Sequence, residues 1–198
     1  MLVVLDTETT GFGVSRGRAD GVVQIGLAYR IPGSSHVVTW GMTCNPGAEY
    51  LEGGRAREAL RISGLDEDAV RASPSASEAA SRLGRILASL RSEHAFVRLT
   101  AYNIDFDRPF LEASPWNLTG PWGECIMLNA HKALNPEGKW PRLTEACGAL
   151  QIQYPGRAHE ARIDAYAALL VHEALEARGT VRVPVVEPTA PRPERGAP

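Results

Sequence analysis

Lysine, cysteine and long apolar runs are scarce in this sequence, and the shortages of cysteine and of apolar runs each exclude a class of protein. Lys132 and Lys139 are the only lysines among 21 basic residues, and 23 acidic residues leave a net charge of −2. The sequence therefore lacks the excess of basic residues that would by itself point to nucleic acid. The cysteines Cys44, Cys125 and Cys147 are too far apart for a zinc motif. No apolar run is long enough to span a membrane. We therefore expect neither a zinc module nor a membrane protein.

The length and the ends of the chain predict one domain with a tail. The 198 residues, 44% of them hydrophobic, suffice for one well-filled core. The first residues lack the basic stretch and apolar core of a signal peptide, so we expect a cytoplasmic protein. Residues 181–198 contain five prolines and cannot pack as a helix or a central strand. We predict a domain at 1–180 and a flexible Pro-rich tail at 181–198.

The pattern of apolar residues predicts an α/β domain with a mixed sheet, because three strands come first and strands then alternate with helices. The predicted strands are 2–6, 22–31, 36–44 and 95–103. The predicted helices are 55–63, 75–91, 107–114, 143–152 and 161–178, with capping from Ser77 and Glu78 and with Pro109 in a first turn. Segment 11–21 has the composition of a loop, and 124–134 mixes strand and helix signals.

The first strand ends in two acids, Asp6 and Glu8, within the stretch LDTETTG. Two residues apart on a strand, their side chains point to the same face. Two close carboxylates repel each other unless something positive lies between them. For an isolated pair, the simpler interpretation is that Asp6 caps a turn and Glu8 lies in a solvated loop.

Two further stretches weaken that simpler interpretation. NIDFDRPFL places Asp107 near a predicted helix start, where an aspartate can also serve as an N-cap. HEARIDA places His159 five residues before Asp164, which would otherwise be an exposed acid near a helix dipole. Four carboxylates suit two Mg²⁺ ions that clamp a phosphodiester, and a histidine can take a proton from the attacking water.

The three motifs, in this order, resemble the DEDDh (DnaQ-like) branch of the DEDD exonuclease superfamily. This is the group of the proofreading epsilon subunit of bacterial DNA polymerase III, exonuclease X and RNase T. The resemblance covers residues 1 to about 178. It implies an RNase H-like fold with a central mixed five-stranded sheet, in which strands 1–3 are antiparallel and the later strands parallel, flanked by helices. It also implies a metal-dependent 3′–5′ exonuclease that releases nucleoside 5′-monophosphates by a two-metal mechanism.

The resemblance also implies roles for individual residues. Asp6, Glu8, Asp107 and Asp164 would bind two Mg²⁺ ions, for which Mn²⁺ can substitute, and Asp6 would bridge them. His159 would be the general base. The residues that would hold the terminal nucleotide are Thr7, Thr9, Thr10, Gly11, Phe12 and Asn103. Asp105 lies off the motif and is expected to be an exposed loop acid, and the spacing of Tyr166 excludes it from the role of the base.

Several alternatives remain open from the sequence. The expected partner is nucleic acid with a free 3′ end, with single-stranded DNA favoured because WGECIM and RLTEACGAL resemble exonuclease X and the epsilon subunit. An RNA-trimming enzyme and a non-catalytic module that binds nucleic-acid ends or a polymerase are the alternatives, and a DNA polymerase partner is possible. For Trp116, Trp122 and Trp140, core or lid packing is favoured over base stacking.

Overall fold

A computed structural model describes residues 1–15 and 18–179 of the chain. In chain order its strands are β1 (Leu2–Thr9), β2 (Val14–Ser15), β3 (Arg18–Ala19), β4 (Val22–Arg30), β5 (Val37–Thr43) and β6 (Arg98–Ala101). Its helices are α1 (Ala48–Leu51), α2 (Gly54–Ser63), α3 (Glu67–Ala72), α4 (Ala76–Glu93), α5 (Ile104–Glu112), α6 (Ile126–Leu134), α7 (Leu143–Ala149) and α8 (Ala161–Ala177). The predicted tail, 181–198, lies outside the described residues.

The main sheet confirms the predicted α/β class with a mixed sheet. Its strands follow the order β5-β4-β1-β6. Strand β1 is antiparallel to β4 and parallel to β6, and β4 is antiparallel to β5. The two short strands β2 and β3 pair separately, inside the segment predicted as a loop. Strand β1 is therefore central, with a neighbour on each side.

The predicted count of five strands is wrong for the main sheet, which has four in the described part of the chain. At the position of a fifth strand, beside β6, only an isolated parallel bridge is present between Leu99 and Trp122 in the described residues. The Leu99 N–H donates to the Pro121 carbonyl at 2.9 Å, and Gly123 N–H donates to Leu99 O at 2.7 Å. Pro121 has no N–H with which to extend the ladder, and α6 begins at Ile126. Segment 124–134 therefore resolves as a helix.

Apolar side chains of β1 feed two separate hydrophobic clusters, one on each face of the sheet. Val3 and Leu5 pack with residues of α4 and α5, whereas Val4 packs with residues of α6, α7 and α8. This alternation is the two-residue period of a strand. The strand is thereby held from both faces, and its C-terminal half is fixed in position.

Two predicted helix starts differ from the observed ones. Helix α4 is capped by Ser75, whose hydroxyl accepts from the Glu78 N–H at 3.2 Å, and not by Ser77. Helix α5 begins at Ile104, three residues before the predicted start, so Pro109 lies in its second turn and Asp107 in its first. None of the described helices combines the length and the apolar character that crossing a bilayer requires.

Candidate active site

Strand β1 carries Asp6 and Glu8 on one face near its C-terminal end. Asp6 pairs in register with Gly26 of β4, and Glu8 pairs with Gln24, after which the register shifts. Both acids lie on the face of Val4, toward helix α8. The strand continues to Thr9, so Glu8 belongs to the strand and not to a solvated loop. The two carboxylates therefore face the same space, as their spacing predicts.

Helix α8 brings Asp164 to that space because two glycines let its first turn approach the sheet. A Cβ atom at Gly26 would lie 2.2 Å from the Ala161 carbonyl, and one at Gly41 would lie 2.7 Å from the Arg162 Cβ. The Ala161 N–H also donates to Gln24 Oε1 at 3.2 Å. Asp164, in the first turn, is buried with 8% of its surface exposed. The simpler interpretation of Asp164 as an exposed helix acid is therefore wrong.

Helix α5 supplies the fourth acid, Asp107, from the opposite face of the sheet. Asp107 is 3% exposed, and its Oδ1 accepts two hydrogen bonds from Thr7. The Thr7 N–H donates at 2.9 Å and the Thr7 hydroxyl at 2.8 Å. Asp107 is therefore not an N-cap; it is fixed against the strand between Asp6 and Glu8.

His159 lies in the irregular segment before α8, with its side chain exposed. Its backbone adopts a φ of 63°, which is uncommon for a residue other than glycine. Its N–H donates to Asp164 Oδ2 at 3.1 Å, which ties this backbone to the acid. One ring nitrogen and carboxylate oxygens of Glu8 and Asp164 all lie within 4.8 Å of one another. The structure thus brings all five predicted catalytic residues to one place.

The four acids share an environment that disfavours their negative charge. Burial raises the pKa of Asp6 well above its ordinary value, and the charges of Asp107, Asp164 and Glu8 raise it further. Burial raises the pKa of Asp107 to about 7, although the Thr7 hydrogen bonds oppose that rise. Burial also raises the pKa of Glu8 and of Asp164. Each acid keeps its charge more easily when a cation is near.

Asp6 differs from the other three acids in its partners. In residues 1–15 and 18–179, no protein N–H or O–H group hydrogen-bonds to its carboxylate, whereas the other three each accept at least one such bond. A half-buried carboxylate with three acidic neighbours and no donor is costly unless a cation binds it. Hard oxygen ligands of this kind suit Mg²⁺ or Mn²⁺. The donor set therefore fits divalent metal ions.

Two side chains that were not predicted from the sequence donate hydrogen bonds to the carboxylates of Glu8 and Asp164. The Ser63 hydroxyl, at the end of α2, donates to Glu8 Oε2. The Tyr154 hydroxyl donates to Asp164 Oδ1 at 2.7 Å, and burial together with that acid raises the pKa of Tyr154. Neither residue belongs to a motif. The predicted helix at 55–63 contained Ser63, but nothing in the sequence indicated where its hydroxyl points.

A cavity of about 420 Å³ opens over the acids and His159. One wall comes from β1 and the segment after it, and α2 forms another with Arg55, Ile62 and Ser63. Arg55 was also not singled out by the sequence. The remaining lining residues are mainly apolar and lie near α5 and α7: Tyr102, Phe106 and Leu143. A mostly apolar cavity with polar groups at one end is typical of a small-ligand site.

Five of the six residues predicted to hold a nucleotide line this cavity: Thr7, Thr9, Gly11, Phe12 and Asn103. Phe12 is 88% exposed, as a residue available for stacking would be. Thr10 does not line it. Its hydroxyl accepts from the Gly21 N–H at 2.9 Å, and it borders the neighbouring cavity. Thr10 thus secures the connection between strands.

The predictions for the tryptophans and for Asp105 are confirmed at some positions and wrong at others. Trp116 is buried in the core and Trp122 packs against it, as predicted. Trp140 is 58% exposed, so its predicted packing in a core or lid is wrong. Asp105 is exposed, but it lies in the first turn of α5 and not in a loop, because that helix begins at Ile104.

Comparison with solved structures adds the fold of known nucleases. No protein-family model matches the sequence, and a search of curated proteins finds no match. Cell-death related nuclease 4 matches 90% of this chain with a TM-score of 0.69 at 14% identity, and the match spans 64% of that nuclease.

Two further solved structures give the same result. The nuclease domain of 3′hExo, described as a DEDDh family member bound to rAMP, has a TM-score of 0.63 at 12% identity, over 90% of this chain and 92% of that one. Pop2p of S. pombe, in a form with Mg²⁺ and Mn²⁺ bound, has a TM-score of 0.58 at 18% identity, over 90% of this chain and 82% of that one. At these identities the likeness establishes the fold.

Proposed function

We propose that this chain, which has the fold of the DEDDh-family 3′-exonucleases, is a metal-dependent 3′–5′ exonuclease. The observation that carries the proposal is the convergence of four carboxylates and one histidine on a single cavity. Three elements far apart in the chain contribute them: β1, α5 and the start of α8. In this proposal residues 1–180 are the catalytic domain.

The four acids would hold two divalent ions, Mg²⁺ or Mn²⁺. Asp6 would depend most on these ions, because it alone among the four accepts no hydrogen bond from a protein group in the described residues. The other three keep one or more oxygens engaged by Thr7, Ser63 or Tyr154, which fixes how each carboxylate is turned. When bound, such ions stabilise negative charge that develops on phosphate oxygens.

His159 would take the proton from the attacking water. Its ring is exposed at the cavity, while its backbone N–H is held by Asp164, so the ring can reach solvent without losing its position. The water oxygen forms a bond to the terminal phosphorus, and the bond from that phosphorus to the 3′ oxygen of the preceding nucleotide breaks. The 3′ oxygen leaves with the bonding electron pair and takes up a proton from solvent. The product is a nucleoside 5′-monophosphate.

The apolar part of the cavity, which Phe12, Ile62, Phe106 and Leu143 line, would receive the terminal base. We favour single-stranded DNA as substrate, on the likeness of WGECIM and RLTEACGAL to exonuclease X and the epsilon subunit. The 3′hExo domain was solved with rAMP bound, so a protein of the same fold binds a ribonucleotide. RNA is therefore the alternative polymer for the same site.

The test uses 5′-labelled single-stranded DNA and RNA of matched sequence, incubated with Mg²⁺, Mn²⁺ or EDTA. We expect a ladder that shortens from the 3′ end in either metal and stops in EDTA. His159→Ala should lower the rate by about 10²- to 10⁴-fold, the usual contribution of a general base. The polymer that is shortened faster identifies the substrate class.

A matched control is His36→Ala, which removes an exposed histidine in the connection between β4 and β5, where its ring contacts Ser34 at 2.8 Å. This variant should cleave at the wild-type rate. The proposal fails if the wild-type protein shortens neither polymer in either metal. It also fails if His159→Ala is as active as His36→Ala.

A further inference from the structure

Trp140 is the most exposed of the four tryptophans, and it lies three residues before Leu143, which lines the cavity. It is 58% exposed, within a connection between α6 and α7 that we call the 135–142 loop. Proteins usually bury tryptophan on average, and an exposed one beside a cavity is a frequent mark of binding. Trp140 is therefore a candidate binding residue, to be judged by what surrounds it.

The 135–142 loop is anchored to the wall of the catalytic cavity at its C-terminal end. The Tyr102 hydroxyl donates to the Pro141 carbonyl at 2.8 Å, and Tyr102 itself lines the cavity. Leu143, three residues after Trp140, also lines it. Three residues span at most about 11 Å, so the Trp140 backbone lies within that distance of the cavity wall. Pro141 is buried while Trp140 is exposed, so the anchor and the free side chain are adjacent.

The same stretch concentrates positive charge in an acidic protein. Both lysines of the chain, Lys132 and Lys139, lie in or just before the loop, and Arg142 ends it; Glu137 is the one acid among them. Lys132, Lys139 and Arg142 are exposed. Lys139 lies 3.3 Å from Glu145, but the two side chains are 75% and 43% exposed, and an ion pair open to solvent holds a lysine only weakly.

We propose that the 135–142 loop binds the single-stranded polynucleotide next to the terminal nucleotide, with Trp140 stacked on a base and Lys139 and Arg142 near its phosphates. Aromatic side chains set among cations are the usual platform for single strands, because every base offers a face for stacking. The inference rests on the proposed function, and it adds a second contact to the nucleotide held in the cavity. This contact favours substrates of several nucleotides over a single one.

The test compares Trp140→Ala with wild type on two substrates, a long 5′-labelled single strand and the p-nitrophenyl ester of a nucleoside 5′-monophosphate. On the long strand KM should rise at least about fivefold while kcat stays constant, and Trp140→Phe should restore most of the loss. On the ester, which ends at the cavity, both parameters should be unchanged. Fluorescence anisotropy of a labelled single strand in EDTA should show the same order of affinities.

The matched control is Phe96→Ala, which removes another exposed aromatic residue beside an arginine. Phe96 is 43% exposed with Arg98 5.9 Å from its ring, and it precedes β6 at the end of the sheet opposite the acids. It should bind and cleave like wild type. An equal loss in Phe96→Ala, an unchanged KM in Trp140→Ala, or a loss on the ester as large as that on the strand would each overturn the inference.

The two proposals fail in different ways. If wild type hydrolyses the ester and the strand but Trp140→Ala behaves like wild type, the loop proposal is wrong and the exonuclease proposal stands. If wild type binds the strand through Trp140 but hydrolyses neither substrate, the exonuclease proposal is wrong and the loop proposal stands.

Discussion

The two halves of strand β1 are built from opposite chemistry. Val3, Val4 and Leu5 are fully buried and pack into hydrophobic clusters on both faces of the sheet. Asp6 and Glu8 continue the same strand, yet they face two more carboxylates, and burial raises the pKa of each. We expect the first half to stabilise the fold and the second half to lower the stability of the metal-free protein. The strand therefore changes from core residues to residues of the candidate site between Leu5 and Asp6.

The largest expected effect comes from replacing Asp6, the first residue of the acidic half of β1. Asp6→Asn should lower cleavage by roughly a thousandfold or more, since metal-based charge stabilisation is worth several kcal/mol. The same change should raise the unfolding temperature of the metal-free protein, because it removes a repelled charge. Both are measured on one preparation, by cleavage assay and by thermal unfolding in EDTA.

Leu5→Ala is the matched control for Asp6→Asn. It should destabilise the protein by about 2–5 kcal/mol, because Leu5 is fully buried in the core. The fraction that stays folded should cleave near the wild-type rate. The division of β1 into two halves would be refuted if Asp6→Asn destabilised the metal-free protein as much as Leu5→Ala does.

A second effect concerns the pH dependence of stability. The pKa of Asp107 is about 7 in the folded chain and about 3.8 as the ordinary value, so the folded state keeps a proton that the unfolded state releases. The resulting stability is fully present below about pH 4 and is lost as the pH rises through about 7. Metal-free wild type should therefore lose stability against Asp107→Asn across this range, measured by urea unfolding in EDTA.

Addition of Mg²⁺ at a pH above 7 should reverse this loss in wild type, because a cation favours the charged acids. Asp107→Asn should gain less from the metal. Wild-type and Asp107→Asn stabilities that run parallel from pH 4 to pH 8 in EDTA would contradict the shifted pKa of this carboxyl.

The smallest effect concerns the residues that hold the acids. Tyr154→Phe removes the hydroxyl that lies 2.7 Å from Asp164 Oδ1. It should lower the apparent Mg²⁺ affinity or the activity by about 10- to 100-fold, the usual cost of losing a hydrogen-bond partner of a metal ligand. A Mg²⁺ titration of the cleavage rate measures it. Tyr166→Phe is the control, because Tyr166 lies two residues past Asp164 on α8 and packs against an apolar cluster. Equal metal dependence in both variants would show that the Tyr154 hydroxyl plays no part in holding Asp164.

Much of the fold follows from local patterns. The strands predicted at 22–31 and 36–44 are observed at Val22–Arg30 and Val37–Thr43, because strand periodicity and flanking turns act locally. The fifth strand was wrong because Pro121 and the start of α6 interrupt the pairing with β6. The start of α5 was predicted three residues late, at Asp107, although Asn103, a residue type that often caps helices, directly precedes the helix.

The candidate site divides in the same way. The acids and His159 were identified because their spacing forms motifs, and the structure brings them together. Ser63, Tyr154 and Arg55 were not, because their importance depends on where distant elements meet. The polymerase partner and the cytoplasmic location stay predictions.

The close approach of α8 to the sheet has a consequence for reading related sequences. Any side chain at position 26 would meet the Ala161 carbonyl at 2.2 Å, so the first turn of α8 would have to move away and take Asp164 with it. A related chain could therefore keep all four acids and the histidine and still be inactive. A list of its catalytic residues would classify such a chain as an enzyme, whereas the loss of the glycine at position 26 would indicate that it is inactive.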